Sequence, residues 1–383
     1  MDLQLTETQE MIQETARSFA EKELMPAAHD TDKLGQFPRD KVKKLCNLGF
    51  FGMAVPEEFG GAGLDNLSYA IAMEEISRGC ASTGVIMSVN NSLVCDPISK
   101  FGNTAQKKKF LGELAPGKVL GCFALSEPGS GSDAAGMRTT AIRDGDVYVV
   151  NGTKNWITNG KEADICVLIV HTNPEERHKG ISALVVDRRE SPYGIGKVED
   201  KLGIKGSSTT SLVFENCRVP VANLLGKEGD GFKVAMSTLD GGRIGIAAQA
   251  LGIARAAFEE ALLYSRERQA FGKYIGDFGA IQEMLADMAC DLDAARLLIW
   301  RAAVAKDAGE KFSKLSAMAK LYASEASARI THKALQIHGG YGYVKEYNAE
   351  RHMRDARITE IYEGTSEIQR LVIARETLME FGV

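Results

Sequence analysis

The run Ile165-Cys166-Val167-Leu168-Ile169-Val170 is apolar and rich in β-branched residues, and Ile181-Ser182-Ala183-Leu184-Val185-Val186 follows it after ten residues. Two similar runs flank this pair, Val147-Tyr148-Val149-Val150 and Ser211-Leu212-Val213-Phe214. Short runs of this kind, separated by Gly, Asn and Asp, are typical of β-strands. No helix-length segment lies between them, which disfavours parallel βαβ units. The stretch from about 120 to 225 therefore predicts an antiparallel barrel or sandwich.

Helical patterns follow this β region. All nine prolines lie at or before Pro220, so the last 163 residues contain none, and proline breaks helix interiors. Residues 244–262 are apolar nearly all round, residues 281–298 repeat apolar side chains at helical spacing, and residues 315–337 form another helical run. Three or four long helices with short connections predict an antiparallel bundle.

The first 119 residues also have helical patterning, and Thr6 and Gln9 have the spacing of a capping box. We therefore predict an α+β protein. Its parts are an N-terminal helical domain (1–119), a middle antiparallel β-barrel or sandwich domain (120–227) and a C-terminal four-helix bundle (228–383).

Composition excludes several classes of function. A net charge of -5 argues against a nucleic-acid partner, and no apolar run approaches the ~18 residues that span a bilayer. The first five residues are acidic and lack the pattern of a secretory signal or transit peptide, so we expect a cytoplasmic protein of bacterial type. The seven cysteines are scattered, without a histidine cluster, which predicts neither a metal site nor a disulfide framework.

The C-terminal stretch Arg357-Ile358-Thr359-Glu360-Ile361-Tyr362-Glu363-Gly364-Thr365-Ser366 contains a candidate general base. Glu363 stands between apolar residues and a glycine that permits a bend. Desolvation raises the pKa of a carboxylate and makes it a stronger base when ionised. A glutamate beside a glycine is more often a plain helix-end residue, so this stretch alone does not decide the matter.

Two upstream segments add to it, Phe123-Ala124-Leu125-Ser126-Glu127-Pro128-Gly129-Ser130-Gly131-Ser132-Asp133 and Gly152-Thr153-Lys154-Asn155-Trp156-Ile157-Thr158-Asn159-Gly160. The first matches G-x-G-x-x-A, but a proline precedes it and a β region follows, which excludes a Rossmann fingerprint. A small-residue loop remains, suited to an anion or a cofactor edge, or else an ordinary surface loop. In the second, side chains two apart on a strand share a face, so Trp156 and Thr158 suit a flat aromatic cofactor; core packing is the simpler explanation of Trp156 alone.

Together the three segments resemble the acyl-CoA dehydrogenase family, over essentially the whole chain. The resemblance implies the same α–β–α order of domains, one FAD per subunit, a homotetramer, an acyl-CoA substrate and electron transfer to electron-transferring flavoprotein. It also implies that Glu363 takes the α-proton of the thioester while the β-hydride passes to flavin N5, giving the trans-2-enoyl-CoA.

The resemblance also assigns site residues. Flavin contacts fall on Phe123, Leu125, Ser126, Gly131, Ser132, Trp156, Ile157, Thr158, Gln336, Gly339, Gly340, Thr365 and Glu367. Arg268, which could otherwise be a helix-end cation, and Phe271 match residues that reach the FAD of a neighbouring subunit. Contacts to the CoA ester fall on Ser132, Asp240, Arg243, Gly364 and Arg375.

Several segments look most like short-chain, butyryl-type members, among them Leu239-Asp240-Gly241-Gly242-Arg243-Ile244. Long-chain-type members carry the base near residue 242, which is Gly242 here, and glutaryl-type members carry an arginine where this chain has Gly84. Gly279 replaces the family's usual glutamine. Asp96 is either an exposed loop aspartate or a second acid near the acyl pocket, serving a branched or alicyclic ester. An acyl-CoA oxidase and a non-catalytic scaffold that binds CoA esters are the competing interpretations.

Overall fold

The structure is a computed structural model that describes residues 4–382; part of the acidic start, residues 1–3, lies outside this range. The N-terminal third is helical. Its α-helices are α1 (Glu7–Phe19), α2 (Met25–Leu34), α3 (Arg39–Asn47), α4 (Asn66–Gly79), α5 (Ala81–Ser88), α6 (Asp96–Phe101), α7 (Thr104–Gln106) and α8 (Gly112–Leu114). Wider π-helical turns join several of them, at Ala20–Leu24, Val89–Cys95 and Lys107–Leu111. The predicted capping box is present at the start of α1, where Thr6 and Gln9 exchange hydrogen bonds.

The middle part is a sheet. Its strands are β1 (Gly121–Ala124), β2 (Thr140–Asp144), β3 (Val147–Thr158), β4 (Ile165–His171), β5 (Ile181–Asp187), β6 (Gly194–Val198), β7 (Thr209–Pro220) and β8 (Leu224–Leu225). Within residues 4–382 they form one eight-stranded sheet in the order β6-β7-β3-β2-β4-β5-β8, with β1 on β4. The pairing is antiparallel except for β1 with β4 and one residue pair between β2 and β4. The predicted antiparallel β domain is thus confirmed, with a parallel pairing that the pattern does not reveal.

Strand β4 explains why its sequence is apolar without alternation. Ile165, Val167 and Ile169 belong to a core shared with the N-terminal helices and α9 (Gly231–Glu267). Cys166 and Leu168 point into a second core on the other face of the sheet. Because both faces are covered, every residue of the strand is buried.

The C-terminal third is helical, as predicted. After α9 come a short hairpin of β9 (Gln269–Ala270) and β10 (Lys273–Tyr274), then α10 (Gly279–Asp307), α11 (Ser313–His338), α12 (Ala349–Arg357) and α13 (Ser366–Glu380). Helix α11 packs against α9, α10, α12 and α13, and α4 packs against α9 and α10. Close approach of α4 requires a glycine on α9, because a Cβ atom on Gly252 would lie 2.4 Å from the carbonyl oxygen of Glu74. Within residues 4–382, no helix is long and apolar enough to cross a membrane.

Candidate active site

The segment between α12 and α13 makes a tight bend that carries Glu363. Glu363 has φ 51° and Gly364 has φ 93°, so two consecutive residues occupy the left-handed region. Glycine adopts this conformation readily and glutamate rarely. The hydroxyl of Thr365 then accepts a hydrogen bond from the amide of Ile368 and caps α13. A non-glycine residue in this region persists only where its surroundings hold it, and such residues cluster at functional sites.

The carboxyl of Glu363 lies in an unusual electrostatic environment. Its Oε2 atom is buried and has no hydrogen-bond partner among the described residues. Burial raises the pKa of Glu363 from 4.5 to about 7, against the opposing charges of Lys320 and Arg243. A carboxyl with a pKa near neutrality is partly in its basic form at neutral pH, and that form has the driving force to take a proton. The environment therefore suits the predicted general base.

Helix α9 leaves space for this carboxyl. A Cβ atom on Gly242 would lie 2.2 Å from Oε2 of Glu363 and 2.7 Å from Cδ2 of Leu93. Any side chain at position 242 would thus occupy the space in front of the base. Long-chain-type members of the family that the sequence resembles carry their base near position 242. A side chain at that position and the side chain of Glu363 would therefore reach the same space.

Two buried side chains donate hydrogen bonds to the backbone carbonyl groups of this bend. The Lys320 Nζ atom donates a hydrogen bond of 2.7 Å to the carbonyl oxygen of Gly364. The Gln369 side-chain amide donates to the carbonyl oxygens of Glu363 and Gly364, at 3.2 and 2.9 Å. Both side chains are fully buried. Neither residue is predicted from the sequence, because an isolated Lys or Gln in a helix usually indicates a solvated position.

The predicted CoA-ester residues lie on the adjacent helices. Arg243 is buried, forms a 2.5 Å ion pair with Asp240, and has its pKa lowered by burial, which the charges of Asp240 and Glu363 oppose. The hydroxyl of Ser313 donates a hydrogen bond to the other oxygen of Asp240. Arg375 on α13 is largely exposed and pairs with Glu376. The structure thus brings Asp240, Arg243 and Glu363 together, with Arg375 at the margin.

A buried ion pair shapes the loop that follows β1. The Lys154 Nζ atom donates 2.9 Å to the carbonyl oxygen of Leu125 and 2.8 Å to Oε1 of Glu127. Glu127 also accepts hydrogen bonds from the amides of Arg138 and Thr139. Burial opposes ionisation of Glu127, but the charge of Lys154 lowers its pKa overall. This pair, which no sequence pattern predicts, connects the loop to β3.

The predicted flavin residues of the loop lie around this pair. Phe123 and Leu125 are buried, whereas Gly131 and Ser132 are exposed. The carbonyl oxygen of Ser126 accepts a 2.8 Å hydrogen bond from the amide of Asn155. A short 3-10 turn rather than a helix follows the loop, at Ala134–Gly136, which agrees with the exclusion of a Rossmann fingerprint. The loop therefore lies directly against the strand that carries Trp156.

Trp156 does not pack in the core. Its side chain is 60% exposed, so the core-packing explanation is wrong. It stands at a bulge in β3 with φ 62°, and Ile157 beside it is buried. Thr158 is partly exposed. The strand therefore turns Ile157 inward and leaves Trp156 and Thr158 on the side that faces away from the core.

Arg268 and Phe271 lie near the end of α11, whereas Thr365 and Glu367 lie at the start of α13. Arg268 lies 5.6 Å from the ring centroid of Tyr341, which joins the β9–β10 hairpin to the end of α11. Phe271 at the hairpin turn is 96% exposed. Within residues 4–382, no hydrogen bond or ring contact links Arg268 or Phe271 to Trp156.

Helix α11 ends at a glycine in an unusual backbone conformation. Gln336 lies in its last turn, and Gly339 and Gly340 follow. Gly339 has φ 58° but ψ -135°, so it does not adopt the left-handed helical conformation of a Schellman cap. His338 is structural: it stacks on Tyr264 at 4.4 Å between ring centroids.

Family comparison identifies the chain over its whole length. The N-terminal, middle and C-terminal domains of acyl-CoA dehydrogenase match residues 6–118, 122–217 and 229–378. The chain belongs to the acyl-CoA dehydrogenase family. It is therefore an oxidoreductase that acts on CH–CH bonds, and it catalyses acyl-CoA dehydrogenation.

Similar proteins cover nearly all of this acyl-CoA dehydrogenase. The mitochondrial short-chain specific acyl-CoA dehydrogenase of Bos taurus is 58% identical over 379 residues, which cover 99% of this chain and 92% of the relative. Butyryl-CoA dehydrogenase from Megasphaera elsdenii matches with a TM-score of 0.97 and 44% identity, over 99% of this chain and 100% of that one. A chain in the structure "Electron transferring flavoprotein of Acidaminococcus fermentans: Towards a mechanism of flavin-based electron bifurcation" matches with a TM-score of 0.98 and 49% identity, over 99% and 100%.

Two departures from the family pattern now have structural positions. Asp96 is not an exposed loop residue: it begins α6, is 23% exposed, and forms a 2.7 Å ion pair with Lys306 of α10. A Cβ atom on Gly241 would lie 3.6 Å from Oδ2 of Asp96. Asp96 therefore lies close to α9, beside the residue that precedes Gly242. Gly279 begins α10, and a Cβ atom there would meet nothing within 4 Å. The acyl-CoA dehydrogenase thus has room for a side chain at position 279 within one protomer.

Proposed function

We propose that this acyl-CoA dehydrogenase converts a short-chain acyl-CoA to the trans-2-enoyl-CoA, with Glu363 as the base that removes the α-proton. The observation that carries the proposal is the buried, unpartnered Oε2 atom of Glu363, which faces the space that Gly242 leaves open. This oxygen can accept a proton without first giving up a protein hydrogen bond. The raised pKa of Glu363, about 7, strengthens it as a base.

The backbone of the same residue supports activation of the substrate. Among the described residues, the N–H group of Glu363 has no hydrogen-bond partner, so it is available to the thioester carbonyl. A donor at this oxygen stabilises the negative charge that develops there as the α-proton leaves, and one such donor is worth ~3 kcal/mol. Lys320 and Gln369 fix the neighbouring carbonyl groups, so the direction of this N–H is set before substrate binds.

The residues around β3 fit FAD. Trp156 is an aromatic side chain left 60% exposed, and the loop beside it contains Gly129 and Gly131, with no atom within 4 Å of a Cβ at either position. An exposed indole suits the stacking of a flat ring system, and free backbone amides in a small-residue loop suit its polar edge and phosphates. Ser126, Ser132 and Thr158 would supply hydrogen bonds. Bound FAD would supply a two-electron acceptor for the β-hydride.

Two features favour a short acyl chain. Leu93 lies against the space in front of Gly242, which places an apolar wall close to the reacting carbons. At Gly84, a Cβ atom would lie 2.2 Å from Oγ of Ser77. An arginine at this position has no room, so the distal carboxylate of a glutaryl-type ester would find no partner here. Arg243 and Asp240 would contact the CoA portion.

Electron-transferring flavoprotein is the proposed acceptor, and a homotetramer the proposed assembly. The first rests on likeness to a chain in the structure of an electron transferring flavoprotein. The second is supported by Phe271, which is 96% exposed at the tip of its hairpin and would be covered by another subunit. A cytoplasmic location stays a prediction. The intact base and flavin-side residues argue against the scaffold interpretation.

The proposal is tested by anaerobic titration of the purified protein with butyryl-CoA and octanoyl-CoA. We expect a flavin absorbance band that bleaches with butyryl-CoA, faster than with octanoyl-CoA. In the Glu363→Gln variant the rate should fall by about 10²–10⁴-fold, while Glu310→Gln, a change of the same kind at an exposed residue, should leave it unchanged. A protein that binds no FAD, or a Glu363→Gln variant that bleaches at the normal rate, would refute the proposal.

A further inference from the structure

Lys320 is a buried lysine that takes no part in the proton transfer proposed above. It lies in the middle of α11 with 0% of its surface exposed, and burial of an unpaired ammonium group is expensive. Its one hydrogen bond goes to the carbonyl oxygen of Gly364, at 2.7 Å, and it forms no ion pair within 4.0 Å among the described residues. Neighbours on its own helix, Ala317, Ala319 and Ala323, are small and buried. A lysine kept in such a place points to a specific task.

The role of Lys320 is indicated by the backbone group that its ammonium group contacts, the carbonyl of Gly364. Gly364 follows Glu363 directly, and both residues have left-handed backbone conformations. The hydrogen bond from Lys320 fixes the peptide group that ends this bend. Gln369 donates to the same carbonyl oxygen and to that of Glu363, so two buried donors hold one strained turn. Gln369 carries no charge, whereas Lys320 adds a positive charge that interacts with the Glu363 carboxylate.

The positive charge of Lys320 also interacts with the carboxyl of Glu363. Lys320 is the first opposing charge that limits the rise in the pKa of Glu363, and Arg243 is the second. Burial lowers the pKa of Lys320 to about 8, with the charge of Glu363 acting in the opposite direction. The lysine is therefore largely protonated at pH 7, where Glu363 is close to half ionised.

The other titratable groups near this pair lie on several elements. Arg243 on α9 and Tyr69 on α4 interact with Glu363, as does Tyr362 beside it. Other charged groups act on the neighbours of Glu363. Glu325 on α11 and Glu367 on α13 act on Lys320. Asp240 on α9 and Arg375 on α13 act on Arg243, and Asp96 on α6 acts on Tyr69. Arg243 already pairs with Asp240. Lys320 is thus the cation near Glu363 without a carboxylate of its own.

We propose that Lys320 is a positioning residue for the base: it holds the Glu363–Gly364 bend through the Gly364 carbonyl and supplies the positive charge that favours ionised Glu363. This inference rests on the proposed function, in which Glu363 is the base. It predicts that loss of the charge and loss of the hydrogen bond have different consequences. The charge sets the pH at which the base becomes active, and the hydrogen bond sets how well the base is oriented.

The test uses the FAD-loaded enzyme and the rate of anaerobic flavin reduction by butyryl-CoA, followed from about two pH units below to about two units above the parent midpoint. In Lys320→Met, which removes the charge at similar length, the pH midpoint of the rate should rise by about one unit, since an opposite charge nearby lowers a carboxyl pKa by ~1–3 units. Lys320→Arg keeps the charge and should keep the midpoint. Gln369→Leu removes hydrogen bonds to the bend without a change of charge, so it should lower the rate and leave the midpoint in place.

A second variant and a second readout cover the possibility that Lys320→Met folds poorly. Lys320→Gln keeps a donor but no charge, and it should shift the midpoint in the same direction. The ionisation of Glu363 can also be followed without turnover, by infrared difference spectra of its carboxyl band, assigned by its absence in Glu363→Gln. A midpoint and a carboxyl titration within about 0.2 unit of the parent enzyme in both neutral variants would overturn the assignment of Lys320.

The two proposals fail in different ways. If Glu363→Gln reduces flavin at the parent rate, Glu363 is not the base, and the proposed function is wrong. If Glu363→Gln is inactive but the neutral Lys320 variants keep the parent pH profile, the base is right, and only the role of Lys320 is wrong. A Gln369→Leu variant that shifts the midpoint as far as Lys320→Met would also count against Lys320, because backbone disorder would then explain both.

Discussion

A Cβ atom on Gly242 would lie 2.2 Å from Oε2 of Glu363. Helix α9 and the bend before α13 therefore meet at one point, and the absence of a side chain on the helix leaves that point to the carboxylate. Gly241, the preceding residue, faces different atoms: its Cβ would lie 3.1 Å from Nζ of Lys306. The two neighbouring glycines thus have unequal tolerance for a methyl group.

Gly242→Ala should slow flavin reduction by butyryl-CoA about a hundredfold, because a shift of about 1 Å in a reacting group can cost that much. The methyl group would displace Glu363 on one side and Leu93 on the other, and both contacts would fall below 3 Å without movement. Gly241→Ala is the matched control on the same helix. Its nearest atom ends a flexible lysine, so its rate should stay within about threefold of the parent. Equal rates in the two variants would contradict the geometry at Gly242.

The buried carboxyl should also cost the protein stability at neutral pH. The pKa of Glu363 is raised in the folded state, from 4.5 to about 7, so its contribution to stability is fully present below pH 4.5 and is lost as pH rises through 7. Glu363→Gln does not titrate. Its free energy of unfolding should therefore exceed that of the parent by about 2–3 kcal/mol more at pH 8 than at pH 5.

Thermal unfolding at a fixed protein concentration checks this, with Glu310→Gln as control. Glu310 is exposed, and its variant should track the parent at both pH values. A gap between Glu363→Gln and the parent that is the same at pH 5 and pH 8 would show that the carboxyl does not titrate in this range.

How far the sequence predicts this fold depends on whether a residue's role is local. The capping box of Thr6 and Gln9 needs only local spacing, and it is present. The parallel pairing of β1 with β4 joins strands that are 40 residues apart, between which β2 and β3 form, and no local pattern records it. Asp96 precedes Pro97, which suggests a loop, yet proline is well tolerated in the first turn of a helix, and this acid begins α6.

The residues of the candidate site also differ in whether a local sequence pattern predicts them. Glu363 has a local signal, since a glycine follows it and apolar residues precede it. Lys320 has none, because its burial depends on tertiary packing around α11. Trp156 stands on a strand as predicted, but its exposure follows from a bulge between β3 and β7, which depends on the register of a partner strand 50 residues away.

The Lys154–Glu127 pair should be essential to the conformation of the loop after β1, which we propose to bind the flavin. Both side chains are buried, so Lys154→Met leaves an unpaired carboxylate, and loss of one partner of a buried pair costs about 3–5 kcal/mol. It also removes the hydrogen bond to the Leu125 carbonyl. We expect a lower unfolding temperature and weaker FAD retention during gel filtration.

The matched control is Lys109→Met. Lys109 forms a 2.6 Å pair with Glu190, but both side chains are more than 40% exposed, and exposed pairs contribute about 0–1 kcal/mol. Its unfolding temperature and FAD content should stay close to those of the parent. If Lys154→Met behaved like Lys109→Met, the buried pair would not determine the conformation of the loop.

Asp96 is the candidate for a second acid in the acyl pocket. Its 2.7 Å pair with Lys306 satisfies its charge, so the carboxylate has little to offer a substrate. We therefore expect Asp96→Asn to keep the rates of flavin reduction by butyryl-CoA and by an alicyclic acyl-CoA within about twofold of the parent, as for a partly exposed ion pair. A selective loss of the alicyclic reaction would instead place Asp96 in the pocket, because Asn retains the size of the side chain and one acceptor oxygen but removes the charge.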